Sequence, residues 1–121
     1  MRFTKFHDIW VRDFIDNFKQ EFNANSSIVD DFFSFGHCYH FAVILKDLFN
    51  GEIMYNPTEN HFATKINVET SWYANDEEME DRLYDITGRI ELTDEWVSWK
   101  TFCEEEPLES DRIKEQCIYK V

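Results

Sequence analysis

The sequence has few residues that interrupt a chain. Its 121 positions hold 3 Gly and 2 Pro, which excludes long flexible linkers and proline- or glycine-rich tethers. Cysteine is scarce too: Cys38, Cys103 and Cys117 are too few, and odd in number, for a disulfide framework. The opening MRFTKFHDIWVRDF lacks the apolar core of a secretion signal, so a reducing, cytoplasmic setting is expected. No run approaches the ~20 apolar residues needed to span a bilayer. Positive charge is the other shortage, with 12 Lys and Arg against 25 Asp and Glu and a formal net charge of −13. The excess is concentrated in residues 74–115, which carry 15 acidic and 5 basic side chains. Such a surface repels phosphate and disfavours direct binding of DNA or RNA, whereas a basic partner protein would be attracted. Solubility alone would also account for it.

Aromatic residues are plentiful. Twelve Phe, 5 Tyr and 4 Trp, within an apolar fraction of 43%, favour a folded protein with a real core. The length suits one domain, here residues 1–121. Residues 4–22 have helical periodicity, with Phe6, Ile9, Trp10, Phe14, Phe18 and Phe22 on three- and four-residue steps and Thr4 as N-cap. After a polar break and Gly36, residues 37–49 predict a second, more buried helix with Phe41, Ile44, Leu45, Leu48 and Phe49 inward, ended by Asn50-Gly51. Residues 52–55 and 61–69 predict a hairpin across the turn Asn56 to Asn60. Trp72 and Tyr73 extend the sheet or border a site, and residues 74–81 predict an acidic loop. A strand over 82–87 follows, continued over 89–92 past a bulge at Gly88. A third helix is expected from Thr93 or Asp94 to Cys103, then a break to Pro107, then a short helix from Ser110 to Cys117. The class is α+β: a central Cys-bearing helix on a small antiparallel sheet, with flanking N- and C-terminal helices.

Three residues in this plan could carry chemistry. Cys38 stands two positions after Gly36, in the first turn of the central helix. A thiolate there is favoured by the helix dipole and by unpaired N–H groups, which could also stabilise an oxyanion. His61 opens the second strand of the hairpin and could return to the helix start as proton acceptor. Asp85 sits inside RLYDITG, where a strand seldom carries an aspartate, and could orient the imidazole. Alternatively, Cys38 is a small core residue, His61 a surface histidine, and Asp85 a cap of the Thr87-Gly88 turn or a partner of Arg82 or Arg89.

GHCYHFAVIL, NHFATKI and LYDITG together resemble the core of the papain-like superfamily, nearest its transglutaminase-like and NlpC/P60-like branches. The resemblance covers residues 36–88 and extends to short phage and prophage proteins of the same layout. It implies acyl transfer at an amide or ester of a protein or peptide, with Cys38 as nucleophile, His61 as general base and acid, and Asp85 as orienting carboxylate. The upstream side-chain oxyanion donor of such enzymes has only Gln20 and Asn25 as candidates by residue type. A second reading is a non-catalytic acidic binding protein that reuses this fold, such as a phage inhibitor of a host nucleic-acid-binding factor. A third is a structural domain without chemistry. His37, Cys38, His40 and His61 are zinc-ligand types, but no C-x-x-C or H-x-x-x-H spacing joins them, so no metal or cofactor is expected.

Overall fold

A computed structural model describes residues 6–21, 38–70 and 79–118 of the chain. The architecture is α+β. In chain order the elements are β1 (Phe6–His7), α1 (Asp8–Glu21), α2 (Cys38–Phe49), β2 (Glu52–Asn56), β3 (His61–Glu69), β4 (Met79–Asp85), β5 (Gly88–Ile90), β6 (Val97–Ser98), α3 (Trp99–Glu105), α4 (Pro107–Ile113) and a π-helical turn, Lys114–Ile118. The strands are ordered β5-β4-β3-β2-β6 and pair antiparallel, while β1 pairs parallel to β3. Among the described residues, no helix is long and apolar enough to cross a membrane.

β3 divides the core. Phe62, Thr64, Ile66 and Val68 alternate onto one face and are fully buried. Ile66 and Val68 meet Val11 and Ile15 of α1 and Phe41 and Leu45 of α2. The Thr64 hydroxyl, shut away from water, donates to the Ala42 carbonyl at 2.8 Å and pins α2 to the strand. On the opposite face, Met54, Ala63 and Leu83 pack with Ile90 and Trp96.

Several expectations need correction. Residues 6 and 7 form a strand, because Phe6 and His7 pair with Val68 and Glu69, and the helix starts only at Asp8. Thr4 and Phe22 lie outside the described residues. Val11 and Ile15 form the buried line of α1, whereas Trp10 is 51% exposed. Leu48 of α2 is likewise 50% exposed. The left-handed residue ending α2 is Asn50, at φ 54°, rather than Gly51. Gly51 is needed for close approach: a Cβ there would lie 2.6 Å from Thr64 Cγ2 and 2.9 Å from the Lys65 carbonyl oxygen.

The β4–β5 connection is a hairpin across Ile86 and Thr87, not a bulged continuation, and Gly88 takes φ 112° where β5 begins. Met79–Asp81 belong to β4 rather than to an acidic loop, while 74–78 and Trp72-Tyr73 lie outside the described residues. No helix starts at Thr93. The chain turns there, with Trp96 N–H on the Thr93 carbonyl at 3.2 Å, and Val97–Ser98 joins β2 as an edge strand. Pro107, not Ser110, opens the last helix, since its fixed φ and missing N–H suit the first position. Ser110 is instead buried, its hydroxyl on the Pro107 carbonyl at 3.0 Å.

Candidate active site

Cys38 is the first residue of α2 and is buried, 6% exposed, against Ala42, Tyr55, Phe62, Trp99 and Ile113. His61 is the first residue of β3 and pairs across the ladder with Asn56. Strand alternation puts His61 and Asn56 on the face of Met54 and Ala63, away from α2. Because His61 stands where the sheet ends, its ring can meet a side chain at the start of α2 around that end. Asp85, the last residue of β4, follows the Thr64–Tyr84 and Lys65–Leu83 pairs onto the same face, a diagonal step from His61.

His61 and Asp85 meet directly. His61 Nε2 lies 2.9 Å from Asp85 Oδ2. Cys38 is near enough to the same imidazole to help raise its pKa. With Nε2 given to Asp85, Nδ1 is the ring nitrogen left for the thiol. Burial would push the His61 pKa down, but the hydrogen bonds and negative charge of Asp85 and Cys38 outweigh it and raise the value to about 9. Asp85 is opposed by burial as well, yet hydrogen bonds from His61 and from the Thr87 hydroxyl and amide hold its carboxyl below the usual aspartate value. The Thr87 N–H reaches Asp85 Oδ1 at 2.8 Å, leaving Oδ2 for the imidazole. Asp85 therefore both caps the Thr87-Gly88 turn and orients His61, and it pairs with neither Arg82 nor Arg89.

Arg82 belongs to a separate buried network. Its Nη1 lies 3.3 Å from Asp8 Oδ1, the Tyr84 hydroxyl donates to the same oxygen, and Arg12 Nε lies 3.0 Å from Oδ2. Burial and the Asp8 charge drive the Tyr84 pKa up, so the phenol remains a donor. Burial alone would raise the Asp8 pKa, but Tyr84, Arg82 and Arg12 hold it low. This network fastens the start of α1 to β4 one residue before Asp85.

Trp96 stands edge-on to His61, ring centroids 5.9 Å apart. Beside them opens a hollow of about 480 Å³, lined by Asn56, Glu59, His61, Asp85, Ile90, Glu91, Thr93, Glu95 and Trp96. Cys38 is not in this lining; His61 is the residue that borders both. Sequence reasoning named Thr87 only in the alternative where Asp85 caps its turn, and it missed Trp96 and Asn56. The D-x-T spacing was a signal for Thr87, whereas Trp96 was assigned to a helix. Of the suggested oxyanion donors, Gln20 is exposed on the last turn of α1 and Asn25 lies outside the described residues. Among the described residues, no group of three or more His, Cys, Asp or Glu side chains is placed to hold a metal ion. Cys103 is half-buried and packs on the cluster containing Cys38. No protein-family model, curated protein or solved structure matches the chain.

Proposed function

We propose that this chain is a small cysteine-dependent acyl hydrolase or transferase of the protease, amidase or deamidase type, acting on a protein or peptide. The observation that carries this reading is one half-buried imidazole that meets Asp85 at 2.9 Å and whose pKa is raised by both Asp85 and Cys38. In this mechanism His61, its pKa raised to about 9, already holds the thiol proton, and the sulfur paired with it bonds to the acyl carbon. N–H groups in the first turn of α2 receive the oxyanion. The imidazolium gives its proton to the leaving amine as the C–N bond breaks, and water or an acceptor amine then releases the acyl group from its thioester. Asp85 keeps the proton on Nε2 and stabilises the imidazolium. A nucleophilic free thiol goes with a reducing, cytoplasmic location.

The test is acylation by p-nitrophenyl acetate, followed by nitrophenolate release and intact mass. The reading expects a burst of about one equivalent and a thioester on Cys38, both lost in Cys38→Ala. Acylation confined to lysines, or unchanged in Cys38→Ala, would sink it.

One observation favours a second reading. Glu104, Glu105 and Glu106 form an exposed run, as an acidic binder of a basic protein would need, such as a phage inhibitor of a host nucleic-acid-binding factor. That reading expects charge reversal at 104–106 to abolish binding while Cys38→Ala leaves it intact.

A further inference from the structure

Two independent features meet in the hollow beside His61. The first is its charge. Glu59 lines it from the β2–β3 turn and Glu91 and Glu95 from the loop between β5 and β6; all three are exposed, and among the described residues no Lys or Arg pairs with any of them. The second is a side-chain amide in its lining. Asn56 is 1% exposed, and its Oδ1 accepts from the Thr58 and Glu59 amides at 3.0 and 3.1 Å. Those two bonds fix the orientation of the side-chain amide. Its Nδ2 donates to no group among the described residues, although the residue lines the hollow.

A bare cation satisfies the glutamates but not Asn56, whose free group is a donor. An acceptor alone satisfies Asn56 but meets three carboxylates. A peptide carrying a basic side chain supplies both, with its carbonyl for Nδ2 and its cation for the rim. Trp96 adds an aromatic wall to which a cation is attracted.

We propose that this hollow is the specificity subsite of the enzyme, taking a lysine or arginine side chain of a polypeptide substrate between Glu59, Glu91 and Glu95 while Asn56 Nδ2 donates to a carbonyl of the same peptide. This rests on the acyl-transfer reading of Cys38 and His61 and adds a substrate class to it. His61 borders both thiol and hollow, and an extended chain advances ~3.3–3.6 Å per residue. The basic residue therefore lies close in sequence to the carbonyl under attack.

The test uses nitrogen-15-labelled full-length protein and four probes: acetyl-Gly-Lys-Gly-amide, the same peptide with arginine, the norleucine isostere, and n-butylammonium. The lysine and arginine peptides are expected to shift the Asn56 side-chain amide and Trp96 indole signals, and to bind about tenfold more tightly than the norleucine peptide. Butylammonium should move Trp96 but leave the Asn56 amide in place. Combined Glu59→Gln, Glu91→Gln and Glu95→Gln should abolish the advantage over norleucine in a protein whose remaining spectrum is unchanged. Equal binding of the norleucine peptide, or shifts of both basic peptides that avoid Asn56 and Trp96, would overturn the subsite. Acylation of the same wild-type sample by p-nitrophenyl acetate separates the two claims. Peptide shifts without acylation leave a binding site and remove the enzyme; acylation without peptide shifts does the reverse.

Discussion

His61 is the residue on which most of the account turns, and its proton can be followed directly. The imidazole holds that proton more tightly when folded, with a pKa of about 9 against 6.5 for a free histidine. Its contribution to stability is therefore fully present below pH 6.5 and is lost as pH rises through about 9. The size is on the order of 3 kcal/mol, from ~1.4 kcal/mol per pH unit. Urea titrations across that window should show wild-type stability falling, and His61→Gln should flatten the slope. Asp85 has the opposite sign: its carboxyl is held below 3.8, so its contribution is present above that value and lost as pH falls further. Asp85→Asn should return the His61 midpoint, read by NMR, toward an ordinary histidine. Thr87→Val removes the hydroxyl donor to Asp85 while keeping the amide bond, and should lower the His61 midpoint less than Asp85→Asn does.

At this scale the sequence was informative where residue types were out of place. A cysteine leading an apolar helix, a histidine opening a strand and an aspartate inside one are each visible without coordinates. Asn56 was readable only as a turn residue. Its side-chain donor acquires meaning from its pairing with His61 and from burial, which are long-range facts.

At the scale of elements, the junction between α2 and β2 sets where Cys38 and His61 stand. Gly51→Ala would drive a methyl into Thr64 Cγ2 and the Lys65 carbonyl, and should cost about 1–3 kcal/mol in chemical denaturation. Asn50→Gly should be neutral or slightly stabilising, because glycine accepts the left-handed backbone without strain, whereas Asn50→Ala should cost about 1 kcal/mol. A glycine requirement at position 50 with tolerance at 51 would contradict this assignment. The hairpin β2–β3 was legible because its alternation and its N-P-T-E-N turn agree. The segment from Thr93 to Ser98 was not, because Trp96 and Val97 fit a helical pattern and a strand edge equally. Pairing of Val97 with Tyr55 decided between them, and no local signal reports it.

Across the whole molecule, one sheet carries two different faces. The face toward α1 and α2 is closed by apolar packing, and the other holds His61, Asp85 and the acidic hollow. Composition showed the large aromatic content but not how it divides. Tyr55, Phe62, Trp99 and Phe102 form a linked cluster behind Cys38, with Phe62 and Trp99 centroids 4.8 Å apart. Phe62→Ala should cost about 3–5 kcal/mol and should loosen the start of α2 along with the core. With a net charge of −13, self-repulsion opposes the compact state. Raising sodium chloride from about 20 mM to about 0.5 M should raise the melting temperature, and a fall would show that attractive surface pairs dominate instead.

The central claim is that the fold makes Cys38 a nucleophile through His61. The most direct measurement is the rate of Cys38 alkylation by iodoacetamide between pH 5 and 9, followed by peptide mass in wild type and in His61→Ala, with glutathione as reference. The account expects wild-type Cys38 at pH 6 to react about tenfold or more faster than glutathione, and that excess to vanish in His61→Ala. Wild-type and His61→Ala profiles that both follow glutathione would contradict it.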